Sequence, residues 1–326
     1  MVKTDAITKW QYQSISLFDL LAVNSDKGRG IGTFMSRKVI ITVAQTGAFH
    51  GKDANPNIPI TPDEIAQSAY DCYNAGAAIV HIHARDKEGR STNDPIIYSE
   101  IGSKIRTKCD LIMQYSTAPA NRAGTVAEDG MQLLYYKDLV KPDMCSLDCS
   151  LISTTWDGRS FVYEWYRDFL IKYARMMRDA GIKPELECFN PSSLEDVFNV
   201  LVPAGVLDEP VSLSFVMGMD KISQGAISFS EKNLDFMISK LPTDRFVNFS
   251  TIAIGARNHV PGMAMTVLKG GGARVGMEDN IYYAPGRLLK SNAEMVERTV
   301  RIIHELGMEV ATPDEARDVL KIPHLS

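Results

Sequence analysis

The sequence predicts a parallel (β/α)8 barrel of the TIM type with an N-terminal extension, on three observations. From residue 38 onward, eight short apolar, β-branched runs recur, and each is followed by a stretch of helical character. That alternation fills nearly the whole chain, as barrels of this size do. The first run leads into "QTGAFHGKDANPNIP", which lacks the G-x-G-x-x-G of the main rival, a doubly wound open sheet.

The strand candidates, in order, are "KVIITVA" (38–44), "AAIVHIH" (77–83), "DLIMQYS" (110–116) and "DMCSLD" (143–148). They continue with "KPELECF" (183–189), "VSLSFVM" (211–217), "RFVNFST" (245–251) and "ARVGME" (273–278). Between them, helices announce their own ends. In "TPDEIAQSAYDCYNAG", Thr61 is the N-cap, Pro62 opens the helix, Glu64 completes a capping box and Gly76 stops it. Ser230 caps "SEKNLDFMISKLP", and Ser291 or Asn292 caps "SNAEMVERTVRIIHELG". The "GGG" at 270–272 precedes a strand, so it reads as a helix end and turn rather than a phosphate cradle. Residues 37–326 form one barrel domain. Residues 1–36 stand outside the pattern as an extension, linked by the glycine-rich "NSDKGRGIG".

Composition excludes several classes. With 326 residues and 45% hydrophobic content, the chain can bury a full core. A net charge of -5 gives no basic footprint for nucleic acid. No apolar run approaches the ~18 residues of a membrane span, and the N-terminus has no apolar signal region. The five cysteines are scattered, which favours a reducing cytoplasm; Cys145 and Cys149 read as small buried residues.

The chemistry lies at the strand ends. Polar residues there face the active site of a barrel. "HIH" at 81–83 puts two imidazoles on one side of the second strand, about 6.6 Å apart along it. With Arg85 and Asp86 directly after, His81 and His83 read as metal ligands. A catalytic zinc takes three protein ligands and keeps an open position. Glu278, ending the eighth strand, is the third candidate, because that strand returns beside the first and so lies near the second. A helix-capping loop carboxylate is the rival reading for Glu278. Arg274 is its natural partner four residues earlier, and Asp279 follows. Strands three, four and five add Ser116, Thr117, Ser146, Asp148, Glu185 and Glu187. Glu187, nearer the C-terminal end, reads as functional, and Glu185 as an exposed residue at the strand start. Metal-dependent hydrolysis is the runner-up chemistry, but strands five and six lack the histidines it needs. Histidines 50, 259, 304 and 324 fall in loops, helices or the tail. A non-catalytic barrel with a structural metal is the other alternative.

The motifs "TPDEIAQSAYDCYNAGAAIVHIHARD", "PELECF", "GGGARVGMEDN" and "KSNAEMVERTVRIIHELGMEVATPDEAR", with "ST" after the third strand, resemble the β-keto acid cleavage enzymes over residues 38 to about 320. The resemblance implies a TIM barrel with one zinc on His81, His83 and Glu278. It also implies an Arg274–Asp279 catalytic pair, a supporting Glu187, and a substrate carboxylate held at Ser116 and Ser146. The implied reaction turns a β-keto acid and acetyl-CoA into acetoacetate and a new acyl-CoA. The family is commonly tetrameric, so a homo-oligomer is expected. Three positions depart from the family pattern. Phe49 stands where an acidic residue would meet an amine. "STAP" replaces "STGG", so Pro119 has no N–H to offer and Ala120 is the next candidate. Asp148 adds a carboxylate in the fourth strand. Phe49 alone suggests an apolar substrate. Phe49 with Trp156 and Asp148 suggests a quaternary ammonium, as in dehydrocarnitine; Trp156 covering the barrel rim is the rival reading. Arg122, Arg257 and Lys269 are the candidate CoA-binding cations.

Overall fold

A computed structural model describes residues 38–325, apart from 122, 123 and 157. The expected extension 1–36, the cation Arg122 and the side chain of Trp156 lie outside the described residues.

All eight expected runs form one parallel sheet. Its strands are β1 (Ile41–Ala44), β2 (Ile79–Ile82), β3 (Ile112–Tyr115) and β4 (Met144–Asp148), then β5 (Lys183–Cys188), β6 (Val211–Met217), β7 (Val247–Ala253) and β8 (Ala273–Val275). The hydrogen-bonded order is 7-6-5-4-3-2-1-8. The Gly272 N–H donates to the Phe249 carbonyl at 2.8 Å, bridging the two edge strands and bringing the sheet near closure. A closed sheet has no exposed edge. The fold is therefore the TIM-type barrel. The run at 38–44 divides: Lys38–Val39 pairs with Glu309–Val310, and only Ile41–Ala44 joins the barrel.

The helices are α1 (Pro62–Asn74), α2 (Pro95–Arg106), a short α3 (Ala127–Gly130), α4 (Arg167–Asp179) and α5 (Pro191–Asp196). They continue with α6 (Glu231–Ser239), α7 (His259–Leu268), α8 (Asn292–Glu305) and α9 (Pro313–Leu320). Local sequence sets their starts. Thr61 and Glu64 form the capping box of α1, Ser230 caps α6 and Ser291 caps α8. After α7, Gly270 takes a positive φ of 96°, so "GGG" is the turn its composition suggested.

Ala316 and Leu320 of α9 pack with Ile79, Ile112 and Met144, the first residues of β2, β3 and β4 or their neighbours. That cluster closes the N-terminal end of the barrel. The opposite end is roofed in part by a hairpin after β4, Leu151–Trp156 with Arg159–Glu164, which also pairs with Ser223–Gln224. All five cysteines are free and buried. No helix among the described residues is long and apolar enough to cross a membrane.

Candidate active site

His81 and His83 leave the mouth-side end of β2 on the same side, as strand alternation requires. Their rings sit 5.1 Å apart between centroids. Glu278 arrives from the other direction, though not by strand alternation. β8 ends at Val275, and Gly276, at a φ of 138°, turns the chain so that Glu278 folds back over the site. Gly47 leaves room for it: a Cβ there would stand 2.5 Å from Glu278 Cγ. The carboxylate faces both imidazoles, with Oε1 3.3 Å from His83 Nε2 and Oε2 3.5 Å from His81 Nε2. The three ligand atoms lie within 4.8 Å of one another.

This trio fits a divalent cation. Glu278 Oε2 is buried and has no hydrogen-bond partner. Burial holds the His81 imidazole down to about 3, so it is neutral. Burial alone would raise Glu278, but His81, His83 and Arg274 outweigh it and hold the carboxyl well below its usual range. Two imidazole nitrogens and an ionised carboxylate oxygen converging on one point are the donor set of a zinc-type site.

Arg274 and Asp279 form a buried pair beside it. Arg274 Nε meets Asp279 Oδ2 at 3.1 Å, and its Nη2 reaches Asp279 Oδ1 at 3.2 Å and Glu278 Oε1 at 3.1 Å. Burial opposes the guanidinium charge, but Asp279 and Glu278 more than offset that and raise its pKa. Asp279 is pushed up by burial and partly drawn back by Arg274. On the far wall, Asp148 and Glu187 stand side by side on paired strands. Burial raises both: Asp148 to about 6, and Glu187 well above its usual range, raised further by Asp148. Two adjoining carboxyls retain a proton between them because both cannot ionise cheaply.

A cavity of about 460 Å3 opens over these groups. His81, His83, Glu278, Arg274, Asp279, Glu187, Asp148, Ser116 and Phe49 all line it. Thr117 and Ser146 do not. The Thr117 hydroxyl donates to the Ser146 carbonyl, and the Thr117 N–H donates to Ser146 Oγ at 3.3 Å, so these two brace each other behind Ser116. The Ala120 N–H does not replace the missing donor at Pro119, because it bonds Asn93 Oδ1 at 2.6 Å. Arg85 is spent on the loop that carries Phe49: its guanidinium donates to the carbonyls of Gly47 and His50. Of the CoA-site candidates, Lys269 pairs with Asp235 at 2.6 Å and precedes β8, which puts it at the wrong end of the barrel. Arg257 is exposed in the loop after β7, at the right end.

Several residues were not legible as site residues. Glu185 is not exposed at a strand start; it is 5% exposed, inside the barrel. Gln114, Ser214 and Ser250 join it there by hydrogen bonds. His50 lines the cavity, and so do Tyr163 and Trp165 from the hairpin region. Only the aromatic density of "FVYEWY" signalled that wall. His259, by contrast, is structural: Nδ1 meets the Ala253 carbonyl at 3.1 Å and Nε2 accepts the Gly276 N–H at 3.3 Å.

The sequence profile of the β-keto acid cleavage enzymes matches residues 38–322. The chain belongs to the β-keto acid cleavage enzyme family. A 3-keto-5-aminohexanoate cleavage enzyme of Acetoanaerobium sticklandii is 36% identical over 286 residues, 87% of this chain and 98% of that one. A 3-dehydrocarnitine:acetyl-CoA trimethylamine transferase of Rhizobium meliloti is 31% identical over 304 residues, covering 88% and 98%. Among solved structures, the apo structure of ObcA superposes with a TM-score of 0.68 at 20% identity, covering 82% of this chain and 66% of that one. At that identity the likeness speaks for the barrel fold alone.

Proposed function

We propose that this protein is a zinc-dependent β-keto acid cleavage enzyme. It would convert a β-keto acid and acetyl-CoA into acetoacetate and a new acyl-CoA. The observation that carries this reading is the convergence of His81, His83 and the orphaned Glu278 carboxylate beside the buried Arg274–Asp279 pair. Zinc on those three ligands would supply Lewis-acid polarisation of the keto and carboxylate oxygens.

The chain's own residues do the rest. Asp279, held against Arg274, takes the proton from the carbon between the keto and carboxylate groups. That carbon bonds to the acetyl carbonyl and expels the CoA thiolate. The thiolate then adds to the substrate's own keto carbon, and the bond from that carbon to the former nucleophile breaks. The acetoacetate carbanion regains its proton from Asp279 as the new acyl-CoA forms. Arg274 stays cationic and steadies the oxyanion that develops. Glu187, its proton held against Asp148, forms the opposite wall of the site. Ser116 orients the substrate carboxylate, and Thr117 and Ser146 hold Ser116's loop in place.

The cavity supports a keto acid with an apolar or quaternary-ammonium tail. Phe49, Ile152, Phe189 and Ile252 line it. Arg274 is the sole lysine or arginine among its described lining residues, and its guanidinium is already shared by two carboxylates. Beyond Arg274, whose Nη1 has no hydrogen-bond partner, a second substrate carboxylate would meet no lysine or arginine among the described lining residues. The names of the two relatives above point to amine-bearing substrates, but Phe49 supplies no charge for a primary amine. A cytoplasmic homotetramer belongs to the same reading, supported by five free cysteines and by the exposed Leu151 and Val162 on the hairpin's outer face.

Kinetics of the zinc-loaded enzyme test this. β-Ketohexanoate or dehydrocarnitine should turn over faster than β-ketoadipate. Acetoacetate release should require acetyl-CoA. Release without acetyl-CoA would favour hydrolysis or aldol cleavage, and fastest turnover of β-ketoadipate would overturn the tail assignment.

A further inference from the structure

The barrel interior holds a continuous line of hydrogen bonds under the candidate metal site. His81 Nδ1 meets Gln114 Oε1 at 2.7 Å. Gln114 Nε2 donates to Glu185 Oε2 at 2.9 Å. Ser214 Oγ donates to Glu185 Oε1 at 2.7 Å, and Ser250 Oγ lies 2.8 Å from Ser214 Oγ. Gln114 is on β3 and Glu185 on β5, so the amide reaches past β4 through the interior rather than along the sheet. His81, Gln114 and Ser214 are at most 1% exposed, and Glu185 and Ser250 are only slightly more so.

We infer that Gln114 and Glu185 are positioning residues that fix His81 in the tautomer with hydrogen on Nδ1 and a lone pair on Nε2. The inventory of donors leads there. An ionised carboxylate only accepts. Both Glu185 oxygens are already approached, one by the Ser214 hydroxyl and one by Gln114. The Gln114 amide must therefore turn its NH2 toward Glu185 and its oxygen toward His81. An amide oxygen only accepts, so His81 must donate from Nδ1. The Nε2 lone pair then faces Glu278, where a ligand lone pair is needed. With the amide reversed, Nε2 would carry the hydrogen and could bind no cation. Because Ser214 spends its one hydrogen on Glu185, Ser250 must donate to Ser214, and donation runs from both ends toward Glu185. An unpaired member of such a buried line would cost several times what it contributes when paired. The arrangement rests on the proposed metal site but goes beyond it, because it assigns roles to residues that touch neither metal nor substrate.

The experiment has two arms. Long-range 1H–15N spectra of the metal-free wild-type protein, assigned with His81→Asn, should show hydrogen on Nδ1 and an unprotonated Nε2. Hydrogen on Nε2 would overturn the inference with no variant needed. Zinc affinity by chelator competition should fall by ~10–100-fold in Gln114→Leu and in the isosteric Glu185→Gln. In Glu185→Gln the His81 signals should also shift toward a mixture of tautomers. Wild-type zinc affinity in both folded variants would overturn the inference. If the wild-type protein itself bound no zinc, the proposed function would fail instead, and the tautomer spectrum would still decide the role of Gln114 and Glu185.

Discussion

The two ends of the barrel each bury an arginine against carboxylates, with opposite charge balance. At the base, Asp143 is shared by two guanidinium groups, Arg317 at 2.9 Å and Arg106. The surplus positive charge is met by backbone oxygens: Arg106 donates to the Leu111 carbonyl, and Arg317 donates to those of Pro323 and Asp110. At the mouth, one guanidinium, Arg274, is shared by two carboxylates, and Asp148 and Glu187 line the same cavity. There the carboxylates outnumber the one guanidinium that hydrogen-bonds them. The base is a closed clamp that ties α9 to the barrel. The mouth is left incomplete, in the way an open catalytic centre must be. Buried charge at the base serves the fold; buried charge at the mouth fits the cation and the reactant proposed for it.

That contrast predicts opposite consequences for similar substitutions. Asp279→Asn keeps the shape of the mouth but removes the proton acceptor. Turnover should drop by ~10²–10⁴-fold, while zinc content and melting temperature stay close to wild type. Turnover within threefold of wild type would move the acceptor role to another residue. At the base, Asp143→Asn leaves the buried Arg317 and the half-buried Arg106 without their shared counter-charge. With Arg317 fully buried and Arg106 only partly so, it should cost about 3 kcal/mol of stability, read by urea unfolding, and leave kcat of the folded fraction unchanged. A loss of kcat without a loss of stability would mean that the two ends are coupled, contrary to the contrast drawn above.

Much of this difference could be anticipated from the sequence. "HIH" at a strand end, "RVGMED" at another and the capping boxes each rest on local rules, namely period two in strands and oxygen acceptors at helix starts. Those rules locate a residue on a face and at an end. They do not say which residue it meets across the barrel. Gln114 within "LIMQYS" and Glu185 within "PELEC" looked like ordinary interior or entrance positions, because their bond skips a strand. Thr117 and Ser146 looked like cavity residues because they sit at strand ends, yet they turn toward each other. The base was not legible at all: Asp143 and Arg317 are 174 residues apart, and although Arg317 ends the last quoted motif, no local rule ties it to Asp143.

The smallest effect should come from the carboxyl pair, and it depends on pH. Burial raises Asp148 to about 6 in the folded protein, against ~3.9 in an unfolded chain. The folded state therefore binds more protons than the unfolded state between those values, and stability falls as pH rises through that window. Below pH ~4 the carboxyl is protonated in both states and costs nothing. Above pH ~6 it is ionised in both, and the penalty is complete at about 1–3 kcal/mol. Asp148→Asn removes the group that titrates. The metal-free variant should exceed wild type in stability at pH 8, and the gain should shrink steadily toward pH 4. A gain that is flat across that range would assign the effect to packing around Asp148 rather than to its charge. Zinc in the site would place positive charge near Asp148, ease its ionisation and narrow the gap, so repeating the titration with metal shows whether the mouth's surplus negative charge is what the cation relieves.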